Sequence, residues 1–163
     1  MKTFIPLFFL ALLFIACGGS SNDNGCIMGT PEAIFSESLD GISNHNFKLV
    51  QNNSTEEFSF GGSPIVIYQT GCDQVSQEFQ FSFADKTDTD KEAMLKMAEI
   101  LTTWSKLGKK QELFGSWAQQ IRYVCDEMQL GQSFTPAPNI EIAMDRVNQA
   151  EGEILTLTLN QKG

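Results

Sequence analysis

The chain has 163 residues, and its 20 acidic and 11 basic side chains give a formal net charge of −9. This acidic balance argues against nucleic acid or anionic headgroups as partners, because both repel negative charge. The length suits one domain with a hydrophobic core and is hardly enough for two. The charge is compatible with a cationic protein partner, but solubility alone is the simpler explanation of it.

The first 16 residues have the pattern of a secretory leader. Lys2 precedes an apolar run from Phe4 to Ala16, which only Pro6 interrupts. A run of about a dozen residues is shorter than the roughly 20 that a helix needs to span a bilayer. A cleaved signal peptide has this build instead.

The end of the run, Phe14-Ile15-Ala16-Cys17, resembles the lipobox of bacterial lipoprotein precursors. In that family the cysteine is lipidated and the peptide bond before it is cut. The resemblance covers only the leader, and it departs from the family at Phe14, where leucine is usual. It implies a membrane anchor on Cys17 and a place in the bacterial cell envelope, at the outer membrane or periplasmic face. The alternative is an ordinary signal peptide with an incidental cysteine.

Residues 17–29 predict a flexible tether, because they are mostly Gly, Ser, Asn and Asp. With Cys17 assigned to lipid, Cys26, Cys72 and Cys125 remain. An oxidising compartment favours a disulfide, and we expect Cys72–Cys125 because Cys26 lies in the tether. The alternative is three free thiols, two of them buried as small hydrophobes.

The rest of the chain, residues 30–163, predicts a single α+β domain. Thr30 and Pro31 favour a short helix that ends at Asp40-Gly41. Alternating or apolar runs then predict four strands, at Asn46–Gln51, Glu57–Phe60, Ile65–Gln69 and Val75–Phe83. Alternation in the last run places Val75, Phe79, Phe81 and Phe83 on one face, which implies an apolar layer packed against them.

Helical patterns follow the fourth strand. Thr89 and Glu92 fit a capping box, and apolar residues at spacings of three and four continue to Leu107, before Gly108. A second pattern runs from Leu113 to Met128, although Gly115 weakens it. After a predicted loop at Gly131–Asn139, two more strands cover Ile140–Val147 and Glu153–Leu159. We therefore expect an antiparallel sheet of about six strands, with one or two helices packed on one face, in the order ββββ-α(α)-ββ.

No pattern in the sequence selects a catalytic or metal site. Acidic residues from Asp88 onward have partial calcium-loop spacing, but Ala93 stands where that loop needs Gly, and helix capping explains the same acids. The cysteine spacings resemble no zinc site. His45 is the only imidazole, and no nucleophile signature surrounds it. We therefore expect no catalytic residue, no metal and no cofactor.

The favoured function is a lipid-anchored, non-enzymatic binding module, of inhibitor or immunity type, against a cationic partner. Glu112, Asp126 and Glu127 are the expected contact residues, because they fall on predicted exposed surface. One alternative is a structural or assembly accessory lipoprotein of the outer membrane. Another is a hydrolase that uses acidic residues.

Overall fold

The computed structural model describes residues 29–71 and 74–162. The predicted leader, Cys17, Cys26 and Cys72 lie outside the described residues. The elements in chain order are β1 (Ile42–Val50), β2 (Asn53–Phe60), β3 (Ser63–Thr70), β4 (Gln74–Phe83), α1 (Asp90–Trp104), a 3-10 turn (Lys109–Gln111), α2 (Leu113–Val124), β5 (Ser133–Ala137), β6 (Ile140–Asn148) and β7 (Glu153–Lys162). Neither described α-helix is long and apolar enough to cross a membrane.

All seven described strands form one antiparallel sheet, in the order β1-β2-β3-β4-β7-β6-β5. This confirms the predicted α+β class, but the expected number of about six strands is wrong. The additional strand is β5, which lies where Gly131 and Pro136 predicted a loop. This strand has only five residues and lies at the edge of the sheet. Pro136 is tolerated there, because the backbone nitrogen of an edge strand can face solvent and need not donate to a neighbouring strand.

The two helices cover one face of the sheet, and the core lies between these layers. The sheet contributes mainly aliphatic and aromatic side chains from its four central strands, and Phe81 is 0% exposed. Trp104 of α1 lies at the centre, with its ring centroid 5.5 Å from that of Phe81 and 5.3 Å from that of Phe114. The predicted packing of Phe81 against the apolar side of α1 is therefore confirmed.

The helices begin and pack as their sequence dictates, although α1 ends earlier than expected. Thr89 and Glu92 form the predicted capping box. The helix ends at Trp104 rather than at Gly108, because 3-10-type bonds tighten the chain after it. Gly115 lies inside α2, where a side chain would come within 3.3 Å of Ser105 on the facing end of α1. Gly115 therefore permits close packing of the helices.

Residues 29–41, called the N-terminal segment below, form turns instead of the predicted short helix. The backbone N–H groups of Ile34 and Phe35 donate to the carboxylate of Glu56 on β2, at 2.8 and 2.7 Å. Because these donors bind a side chain of the sheet, they are unavailable for a helix. The Phe35 ring then packs among Phe58, Trp104 and Phe114.

The predicted Cys72–Cys125 disulfide has no support in the described residues. Cys125 is a buried free thiol, and its expected partner Cys72 lies outside them. The pairing therefore stays a prediction, because only one of its two cysteines lies within the described residues.

Candidate functional site

The sheet face opposite the helices, called the open face below, is not covered by any described element. Its side chains alternate with the core residues, and every one of those described is exposed or half-buried. The pairing register aligns these side chains in rows that run across the strands from β2 to β6. One central row contains Glu57, Val66, Gln80, Thr156 and Asp145, and the neighbouring row contains Thr55, Tyr68, Glu78, Thr158 and Ala143. The open face is therefore a broad surface of mostly hydroxyl, amide and carboxylate groups.

The charges on the open face are mainly negative. Glu57, Glu78, Glu141 and Asp145 are called the sheet-face acids below, and they lie on β2, β4 and β6. Lys48, at the β1 edge, is the basic residue among the described side chains of this face. Neighbouring strands lie about 4.8 Å apart, so Glu57, Glu78 and Asp145 are spaced about 10 Å apart across the sheet. A cationic surface that docks here would meet several carboxylates at once.

His45 lies at the β1 bulge and belongs to a clamp rather than to the open face. Its Nε2 is 2.8 Å from Oε1 of Glu56, whose side chain is fully buried. The same carboxylate binds the N-terminal segment through Ile34 and Phe35, so it accepts three hydrogen bonds. A histidine and carboxylate pair also orients the base in catalytic triads. The described structure gives this imidazole no hydroxyl or thiol partner, and the arrangement fits a structural role.

Sequence reasoning missed Glu56, although a signal for it was present. The sequence predicts a strand that begins only at Glu57, and alternation places Phe58 and Phe60 on the same face of it. The strand begins four residues earlier, at Asn53, so the same alternation also buries Glu56 and Ser54. A polar residue in phase with two phenylalanines therefore indicated a buried polar contact.

The acids predicted to contact a partner lie on the helix layer, at opposite ends of α2. Glu112 precedes the helix, whereas Asp126 and Glu127 follow it, and all three are exposed. A 12-residue helix spans about 18 Å, so Glu112 does not share a patch with the other two. Asp126 also pairs with Lys91 at 2.5 Å, and this hydrogen bond and charge raise the pKa of Lys91.

A groove opens between α2 and the sheet, at the end of the sheet where β4 begins. Its walls include Val75, Leu113, Trp117 and Leu159. A row of polar side chains leads to it across the covered face of the sheet. Gln77 lines the groove and donates to Gln69, which in turn donates to Ser54. The groove, called the α2 groove below, is therefore apolar with a polar side.

Neither the groove nor the open face brings together the residues of a metal centre. No group of three or more His, Cys, Asp or Glu side chains within residues 29–71 and 74–162 has a geometry that could hold a metal ion. The chain matches no protein-family model, no curated protein and no solved structure. Its function is therefore inferred from the surfaces themselves.

Proposed function

We propose that this chain is a lipid-anchored protein of the bacterial envelope, and that it binds a cationic protein on the open face of its sheet. The anchor rests on the lipobox-like residues that end at Cys17. The binding role rests on one observation, which is a bare sheet face with four carboxylates and one lysine among its described side chains.

The open face has the size of a specific protein interface. Seven strands at about 4.8 Å spacing, each about eight residues long, make a surface of roughly 750 Å². A standard interface buries about 800 Å² on each partner. One flat partner surface could therefore occupy this face.

The chemistry of the face suits a basic partner. Threonine, serine and glutamine side chains on β4 and β7 offer hydrogen bonds, and the exposed ring of Tyr68 offers an apolar anchor. The sheet-face acids lie about one Debye length apart at 0.1 M salt, so their fields overlap there and separate at high salt. Long-range attraction of this kind mainly raises the association rate.

The proposed interface differs from the one predicted from the sequence, because the acids predicted to contact a partner lie on the helix layer and not on the open face. Glu112, Asp126 and Glu127 lie on the α2 side, so they cannot share one flat interface with the open face. They provide a matched control, because neutralising these three acids removes as much charge as neutralising Glu57, Glu78 and Asp145.

The test is a pull-down from envelope extract at 50 mM and 500 mM salt. The bait is wild type, the sheet-face triple variant (Glu57→Gln, Glu78→Gln, Asp145→Asn) or the helix-side triple variant (Glu112→Gln, Asp126→Asn, Glu127→Gln). We expect wild type and the helix-side variant to retain a basic protein at low salt, and the sheet-face variant to lose it. Equal retention by all three baits, or equal loss from both variants, would contradict docking on the open face.

A further inference from the structure

An exposed aromatic ring lies near the centre of the open face. Tyr68 is on β3, the third of the seven described strands across the sheet, and 43% of the residue is exposed. Its neighbours Ile67 and Gln69 are buried on the opposite face, so the ring of Tyr68 adds nothing to the core. Tyrosine is enriched among the residues that supply most of the binding energy at protein interfaces. Tyr68 is therefore the natural anchor of the open face.

No cation and no second aromatic ring of the described residues contacts the ring of Tyr68. The cation–π contact among these residues is that of Lys96 over Phe83. Lys48, the basic residue of the open face, lies two strands away from Tyr68, because Thr55 pairs with both. Two strand spacings correspond to about 10 Å. The exposed side of the ring is therefore available to a ligand.

Two carboxylates flank the ring on neighbouring strands. Glu78 lies directly opposite Tyr68 in the β3–β4 pair, so their Cβ atoms are about 4.5–5.5 Å apart. Glu57 lies opposite Val66 on β2, which makes it a diagonal neighbour of Tyr68 at about 7–8 Å. Gln80 donates to Oε1 of Glu78 at 2.7 Å, and this bond orients the carboxylate while its second oxygen can accept from a ligand. A cation on the ring would lie between the two acids.

A guanidinium fits these groups better than an ammonium does. It is planar and can stack on Tyr68 while its N–H groups donate to Glu57 and Glu78. An ammonium is a compact and strongly hydrated charge that cannot stack in this way. Val66 is half-buried and points to the same side as Tyr68, two residues earlier on β3, where it can contact the methylene groups of an arginine. A neutral side chain would leave the two carboxylates desolvated without a partner, which is unfavourable.

The second tyrosine of the chain lies in a different setting. Tyr123 is 85% exposed on α2, and Asp126 and Glu127 follow it within four residues. Asp126 is already paired with Lys91 at 2.5 Å, and Arg122 is the residue before Tyr123. A cation at this ring would therefore meet two positive charges and an acid that is already paired. Exposure of a tyrosine beside acids does not by itself produce the arrangement found at Tyr68.

From these observations we infer that Tyr68, Glu57 and Glu78 form a subsite that takes an arginine side chain of the cationic partner. The guanidinium stacks on the ring of Tyr68 and donates to the two carboxylates. This inference rests on the proposed function, because docking on the open face brings the arginine to the subsite. It adds specificity to that function, since the acids attract lysine and arginine alike but the ring favours arginine.

The experiment is a nuclear magnetic resonance titration of residues 17–163, produced without leader or lipid, since all described contacts lie within residues 29–162. The probes are three heptapeptides, Ac-Lys-Gly-Ser-Xaa-Ser-Gly-Lys-NH2, in which Xaa is arginine, lysine or citrulline. The arginine and lysine peptides have equal charge, and citrulline has the shape of arginine without its charge. Ring-labelled tyrosine gives separate signals for the two tyrosines, assigned with Tyr123→Phe, and backbone amide shifts give the affinities.

We expect the arginine peptide to shift the ring signals of Tyr68 and to leave those of Tyr123 unchanged. At 50 mM salt it should bind about three- to tenfold more tightly than the lysine peptide. The citrulline peptide should bind about tenfold more weakly than the arginine peptide, because it forms no charge-assisted hydrogen bond with the acids.

Three variants locate the subsite. Tyr68→Ala should abolish the preference for arginine over lysine, whereas Tyr68→Phe should keep it, because phenylalanine also presents a π face. Tyr123→Ala is the matched control, since it removes the other exposed tyrosine and should leave the preference unchanged. Thermal unfolding checks that each variant folds, and the three peptides on wild type decide the question if one does not.

Other results would overturn the inference. These are absence of peptide binding to wild type, equal affinity for the arginine and lysine peptides, ring shifts at Tyr123 instead of Tyr68, or an unchanged preference in folded Tyr68→Ala. Each would remove the arginine subsite and leave docking through the sheet-face acids to the pull-down, which does not depend on a choice between lysine and arginine. The two tests therefore fail separately.

Discussion

Replacing Glu56 by alanine would remove the side chain that holds the N-terminal segment on the sheet. The carboxylate is 0% exposed and accepts from the backbone of Ile34 at 2.8 Å, from the backbone of Phe35 at 2.7 Å, and from His45 at 2.8 Å. All three groups would lose this acceptor at once. The imidazole is 14% exposed and can turn toward water, but the amide of Phe35 is buried with its residue.

The expected destabilisation follows from these contacts. A buried donor left unsatisfied costs about 1–3 kcal/mol, so the two backbone N–H groups together give about 2–6 kcal/mol. We expect Glu56→Ala to lower the free energy of unfolding by about 3–5 kcal/mol, a large share of the roughly 5–15 kcal/mol of an ordinary domain. Glu56→Gln keeps one acceptor oxygen and the side-chain volume, and should cost less than the alanine variant.

Urea unfolding followed by tryptophan fluorescence measures this change, because Trp104 and Trp117 both lie in the core. Glu57→Ala is the matched control, since Glu57 is the next residue, exposed on the open face, where a substitution changes stability by about 0.5 kcal/mol or less. If Glu56→Ala and Glu57→Ala differed by less than 1 kcal/mol, the packing of Phe35 rather than the carboxylate would hold the segment.

Three further substitutions test the core, a turn and the anchor. Phe81→Ala should cost about 3–5 kcal/mol in urea unfolding because its ring is fully buried, and Gln80→Ala, on the open face, should cost well under half of that. Gly152→Ala should lower the free energy of unfolding by about 2 kcal/mol or more, because the φ of Gly152 is +95° and a Cβ would lie 1.9 Å from the carbonyl oxygen of Phe83. A loss no larger than that of a surface substitution would refute this close approach. Cys17→Ser should leave an unlipidated precursor of higher mass, and wild-type protein that is fully soluble after detergent-free fractionation would contradict the anchor.

Local signals in the sequence predicted the parts of the fold that depend on neighbouring residues. Thr89 and Glu92 form a capping box, and these two neighbouring residues fix the position at which α1 begins. Alternation in β4 identified Phe79 and Phe81 as buried, since a strand reverses its side chains at every residue. These features need no knowledge of distant contacts.

The features that the sequence did not reveal depend on residues far apart in the chain. The N-terminal segment is not helical because Glu56, more than 20 residues away, binds its backbone N–H groups. The open face and the α2 groove arise because β7 pairs with β4, which brings Gln161 opposite Val75. Periodicity describes one strand at a time and cannot specify which strands become neighbours.

The measurement that tests the proposed function most directly is the association rate of the captured partner with the immobilised domain, at 50 mM and 500 mM salt. We expect wild type and the helix-side triple variant to associate at similar rates at low salt, and the sheet-face triple variant to associate at least tenfold more slowly while its dissociation rate changes little. At 500 mM salt the three rates should converge, because screening removes the attraction. Equal association rates for all three proteins at 50 mM salt would show that the sheet-face acids do not guide the partner, and would contradict docking on the open face.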